Sequence, residues 1–173
     1  MFRHPNLVFG LALIGLVALG AGLSFLWLPH DPNRIDFSAQ LAAPSAAHPL
    51  GTDHLGRDLL SRLLVGARST LLVGFIAVSI ALGLGGLLGA LGGYLGGLLD
   101  ELVMRVVDVL YAFPPILMAI LLAGIYGPGT LTAMVAIGLA TVPVFARLMR
   151  ASMLSLKGRD FVEAAQALGA GRG

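Results

Sequence analysis

The feature that most constrains this chain is a series of apolar blocks, each of about 20 residues or more, the length that carries a helix across a hydrocarbon core of roughly 30 Å. The first block reads LVFGLALIGLVALGAGLSFLWL from Leu7 to Leu28. Others run from Thr70 to Gly97, from Arg105 to the sequence GIYGPGT, and from Leu131 to Leu148. A chain with 57% hydrophobic and 12% charged residues also has too little polar surface to coat a soluble globule. The expected fold is therefore all-α: a polytopic membrane protein with about four transmembrane helices in a lipid bilayer.

The organisation follows from the breaks. Residues 1–28 form an N-terminal tail and first helix, with Arg3 before it and Trp27 at its far interface. A cleavable signal peptide is the competing reading, but its apolar region runs to only about 7–15 residues, and this block is longer and passes directly into PHDPN. Residues 29–68 form a polar loop in which Pro29, Pro32, Pro44 and Pro49 exclude a long helix. From Asp58 the loop acquires helical spacing, with Leu59, Leu60, Leu63 and Leu64 on one side, and predicts an amphipathic lead-in helix at the membrane surface. Residues 69–173 hold the other three blocks and a short charged helix, FVEAAQALG, ended by Gly169. Such a helix suits either docking to a partner or an ordinary juxtamembrane position.

Basic residues orient the chain. Arg147, Arg150, Lys157, Arg159 and Arg172 gather around and beyond the last block, so four crossings place both this end and the N-terminus on the cytoplasmic side. The 29–68 loop then lies outside, where its arginines are balanced by Asp31, Asp36, Asp53 and Asp58.

Inside the blocks, Gly85, Gly89, Gly93 and Gly97 recur every four residues and predict a packing ridge for a neighbouring helix. Asp100 to Arg105 reads as a tight turn between helices. Asp108 lies one helical turn into the next block. An ionisable residue there is a functional candidate, although its spacing from Arg105 favours a plain intrahelical ion pair. Pro114 and Pro115 remove two backbone donors and predict a kink or local unwinding near mid-membrane.

Several chemistries are excluded. There is no cysteine, hence no disulfide, thiolate metal site or cysteine nucleophile. No phosphate-cradling G-x-x-x-x-G-K-[ST] occurs, so any ATP is handled by another chain. Ser79 and Ser152 lack an activating partner, which leaves no enzyme site. His48 and His54 match no helical or turn-based ligand pair, so no metal site is expected. A net charge of +2 gives no reason to expect nucleic acid.

The segment EAAQALG, taken with HPLGTDHLGRDLLSRLLVGAR, DVLYAFP and GPG, resembles the ABC importer permeases of the peptide and nickel family, specifically the second of their two permease subunits. The likeness covers nearly the whole chain from His48 onward. It implies a type I importer permease fold of six helices, of which about four are present here, the chain reading as a fragment that ends at the coupling loop. By motif position it implies that Glu163, Ala164, Ala165 and Gly169 couple to an ATPase subunit. It implies a packing or pathway role for Asp108, Pro114 and Pro115, and a family motif in the outer loop at Gly51, Thr52, Asp53, Gly56, Arg57 and Asp58. The implied partners are a second homologous permease subunit, two cytoplasmic ATPase subunits that hold ATP and magnesium, and an extracytoplasmic substrate-binding protein. The implied location is the inner membrane of a bacterium or archaeon, and this chain itself binds no cofactor. Choice among dipeptides, oligopeptides, nickel and glutathione is expected to rest largely with the binding protein. A secondary transporter, or a structural membrane protein with no ATPase, is the alternative.

Overall fold

The computed structural model describes residues 5–169. Seven α-helices account for most of it: α1 (Pro5–Leu26), α2 (Leu59–Ile80), α3 (Gly86–Leu95), α4 (Gly97–Ala112), α5 (Pro115–Tyr126), α6 (Thr130–Lys157) and α7 (Asp160–Ala167). No strand occurs among the described residues. Three helical runs are long and apolar enough to cross a membrane, namely Pro5–Leu26, Leu59–Leu95 and Thr130–Lys157, and α4 with α5 make a fourth if the bent pair is one span.

The chain divides into two compact units, Met1–Val73 and Gly74–Gly173. In the first, the Leu64 side chain packs over Gly20 of α1, and the Arg68 guanidinium lies 3.8 Å from the centre of the Phe25 ring. The lead-in segment is not a separate surface helix. It is the first part of a helical run of 37 residues from Leu59 to Leu95, about 55 Å long at 1.5 Å per residue. The apolar side at Leu59 to Leu64 has the same period as the block after it, and nothing between them breaks a helix.

The second unit is packed through its small residues. Ala77, Ala81, Gly85, Gly86, Gly89, Gly93, Ala136, Gly138 and Ala146 are buried, whereas Phe75, Leu87, Ile116, Ile120 and Leu148 are exposed. This inverts a soluble core: lipid tails solvate leucine well, so helices gain more by letting backbones approach. A methyl group at Gly85 would lie 2.5 Å from the Val142 carbonyl, at Gly89 2.1 Å from the Ala146 carbonyl, and at Gly93 2.8 Å from Met153 Cβ. Steps of four along α3 meet forward steps of four along α6, so the two helices run parallel, as alternate spans should. Gly138 answers from α6, where an added Cβ would fall 2.9 Å from Ile80 Cβ. A wide π turn at Ala81–Gly85 sits where the close approach begins.

Two sequence expectations need correction and a third is sharpened. Gly97 is not on the ridge: it has open space around its Cβ position, and with Gly96 it makes the reversal between α3 and α4 at φ +59° and +68°. Asp100 to Arg105 therefore lie inside α4 rather than in a turn. The proline pair does more than kink its helix, since α4 and α5 meet at 87°. Each proline bars the residue before it from helical geometry, which leaves Phe113 at φ −82°, ψ 119° and Pro114 at φ −57°, ψ 131°. Pro115 then opens α5, where its missing N–H costs nothing.

Candidate functional site

Two constellations carry the residues singled out by sequence. The first is the motif of the 29–68 loop, which folds into a compact knot within the first unit. Gly51 and Gly56 adopt φ +76° and +73°, and a Cβ would lie 2.5 Å from the Ala42 carbonyl and 1.7 Å from the Asp36 carbonyl respectively. Only glycine fits either place. Between them Thr52 is a hub: its N–H donates to the Ala42 carbonyl, its hydroxyl accepts from the Ala42 N–H and donates to the Ala39 carbonyl.

Asp53 closes the next turn. Its Oδ1 accepts from the N–H groups of Leu55 (2.8 Å) and Arg57 (3.0 Å). Its Oδ2 accepts from Arg57 Nε (2.8 Å) and an Arg62 guanidinium nitrogen (2.7 Å). Burial opposes ionisation here, but these donors overcome it and hold the Asp53 carboxyl at about 2, against an ordinary 3.8. Asp58 caps α2. Its Oδ2 accepts from Ser61 N–H (2.8 Å) and Ser61 Oγ (2.7 Å), while its Oδ1 lies 2.9 Å from His48 Nδ1. Burial again raises this carboxyl, and the Ser61 and His48 hydrogen bonds outweigh it, for a net lowering. The fold pairs His48 with His30, their ring centres 4.6 Å apart, and not with His54. The signal for the cap was present as Asp58 followed three residues later by Ser61. Nothing local pointed to His30.

The second constellation is the α3–α6 pair with α4 and α7. Asp108 does not pair with Arg105. It accepts from Arg147 on α6 at 2.8 Å, and Arg105 instead lies 4.0 Å from Glu101. One turn of spacing made the local pair plausible, but α4 packs against α6, and the Arg147 guanidinium, which also lies 4.2 Å from the centre of the Tyr111 ring, reaches Asp108 first. A stronger tie is bidentate: Arg150 Nε and a terminal nitrogen each donate at 2.6 Å to Asp100. Sequence reading missed it because the partners are 50 residues apart. Gly92 faces the Asp100 carboxylate, with a would-be Cβ 3.0 Å from Oδ1, so a side chain there would press on the pair.

Beyond Lys157 the chain bends at Gly158 and enters α7. Phe161 and Val162 line an apolar cavity of about 230 Å³ with Tyr94, Met153, Leu156 and Lys157. Lys157 Nζ donates to the Tyr94 carbonyl at the end of α3 (2.7 Å). Helix α7 thus lies against the end of α6, and its Phe161 and Val162 share the wall of this cavity with Tyr94 at the end of α3. Ala164 faces solvent, and Gly169 takes φ +88° after the last turn, as a helix-ending glycine should. The side chains of Glu163 and Ala165 lie outside the described residues.

Residues 81–173 match the family described as Binding-protein-dependent transport system inner membrane component. The chain is 44% identical over 147 residues to the "Probable D,D-dipeptide transport system permease protein" of Escherichia coli, covering 84% of this chain and 49% of that one. It is 40% identical over 169 residues to the glutathione transport system permease protein of Pectobacterium atrosepticum, covering 97% of this chain and 56% of the relative. The chain therefore spans about half the length of these curated relatives. With more than half of its residues inside the family match, and with apolar helices packed through glycine, the chain belongs to the binding-protein-dependent transport system inner membrane components.

Proposed function

We propose that this chain acts as a permease subunit of an ATP-driven importer for peptides or related solutes, forming part of the translocation pathway and receiving work from separate ATPase subunits. The observation that carries the reading is the placement of α7 at the end of α6. A short helix whose Ala164 faces solvent follows directly on α6, and its Phe161 and Val162 line one cavity with Met153 and Leu156 of α6 and Tyr94 of α3. A partner that grips α7 and moves it would move α6 and, with it, α3, because at Gly85, Gly89 and Gly93 the two helices are packed too closely to admit even a methyl group. ATP and magnesium belong on the partner, since this chain carries no phosphate-cradling loop.

In this mechanism the N-terminus is cytoplasmic and the 29–68 loop faces a substrate-binding protein outside. ATP binding closes two ATPase subunits, α7 follows, and this permease rocks against a second, homologous one to alternate access. The names of the two relatives point to dipeptides and glutathione as substrate chemistry, and nickel chelates are a further class by the sequence resemblance alone. The coupling role falls to Glu163, Ala164, Ala165 and Gly169, and a packing role beside the pathway to Asp108, Pro114 and Pro115.

Uptake tests the reading. Proteoliposomes holding the assembled importer, with its binding protein and labelled dipeptide, should accumulate peptide only with internal ATP, and Glu163→Ala should reduce accumulation at least tenfold while leaving assembly intact. Accumulation driven by an ion gradient without ATP would favour the secondary transporter instead.

A further inference from the structure

The loop knot leaves one buried nitrogen without a partner. His30 Nδ1 is shielded from solvent and makes no hydrogen bond, yet it lies 3.8 Å from Asp58 Oδ1. His48 Nδ1 approaches the same oxygen at 2.9 Å, and one ligand atom from each of the three residues falls within 4.8 Å of the others. A tetrahedral zinc ion with bonds of about 2.0–2.1 Å needs its donors roughly 3.3 Å apart, so small ring rotations bring all three into range.

The surroundings suit a cation. Asp58 is fully buried, and Ser61 holds its other oxygen from two directions, which aims Oδ1 at the imidazoles. The same Ser61 hydroxyl accepts from the His30 backbone N–H at 3.0 Å and so fixes where His30 enters. This is the support that orients metal ligands in built sites. A cavity of about 200 Å³ adjoins the three residues, and its remaining wall is Asp31, Asp36, Arg34 and Gly56. Three carboxylates against one guanidinium leave it net acidic, with room for water as a fourth ligand.

We propose that His30, His48 and Asp58 form a binding site for one divalent transition-metal ion of the zinc class, which clamps the outer loop by joining three of its segments. Two imidazoles with one carboxylate select such an ion over calcium or magnesium, which prefer all-oxygen shells. The site stands apart from transport, and its test does not depend on the importer reading.

The test uses the full chain in lipid nanodiscs, without a polyhistidine tag, titrated with zinc chloride by calorimetry and then measured by zinc X-ray absorption. The expected result is one zinc per chain at micromolar affinity or tighter, with two imidazole nitrogens at about 2.0–2.1 Å. His30→Gln should weaken binding at least tenfold with only a small change in the metal-free thermal midpoint, because this ring nitrogen makes no hydrogen bond to lose and the ring's one aromatic contact is with His48. His54→Gln should bind as the parent does. Absence of saturable binding, a zinc spectrum without histidine scattering, or full binding in both His30→Gln and His48→Gln would overturn the proposal.

Discussion

At the residue scale, the tightest constraints fall on glycines, and they differ in kind. Gly89 has ordinary helical geometry and is fixed by what it touches, the Ala146 carbonyl 2.1 Å from a would-be Cβ. Gly89→Ala should therefore destabilise the second unit by about 1–3 kcal/mol, as overpacking does, whereas Gly74→Ala, with nothing within 4 Å, should be near neutral. Thermal unfolding in detergent distinguishes them. Gly56 is fixed twice, by φ +73° and by the Asp36 carbonyl. The Asp53 carboxyl gives a pH signature. Its folded value of about 2 lies below the ordinary 3.8, so its stabilisation is fully present above about pH 4 and is lost as pH falls through 2. The difference in thermal midpoint between parent and Asp53→Asn should accordingly be constant above pH 4 and shrink towards zero by pH 2. The period-four ridge was legible in the sequence for Gly85, Gly89 and Gly93, because packing faces follow helical spacing. Gly97 shared the spacing and not the role, since a residue count carries no information on where a helix ends.

At the scale of elements, the ion pairs decide how α4 sits on α6. Asp100 with Arg150 and Asp108 with Arg147 both tie the same two helices, the acids about two turns apart on α4 and the arginines about one turn apart on α6. Both are invisible locally, and the pairing that spacing suggested, Arg105 with Asp108, is displaced by the tertiary one. Asp100→Arg should lower the thermal midpoint, Arg150→Asp should lower it similarly, and the two together should recover most of the loss, since reversing both charges restores attraction. Additive losses in the double variant would mean that the pair does not hold the helices. The break between α4 and α5 was legible in kind because two prolines stand together. Its size was not, since the 87° follows from two consecutive residues being driven out of helical geometry.

At the scale of the whole molecule, the apolar blocks made the membrane class plain, and the motifs EAAQALG and HPLGTDHLGRD carried the family. What the sequence could not supply was the placement of α7, whose Phe161 and Val162 line a cavity with Tyr94, Met153 and Leu156, residues drawn from three helices. The central claim is that an ATPase drives the glycine-packed pair through α7. Because the chain has no cysteine, Ala164→Cys gives a single reactive thiol at an exposed position on that helix. The most direct measurement is disulfide cross-linking of this thiol, in the assembled importer, to cysteines placed one at a time along the surface groove of the ATPase subunit, with and without ATP. The account predicts a cross-link to the ATPase in both states, with its preferred partner position shifting when ATP is bound. Cross-linking at no groove position, in an importer that still assembles and transports, would contradict it.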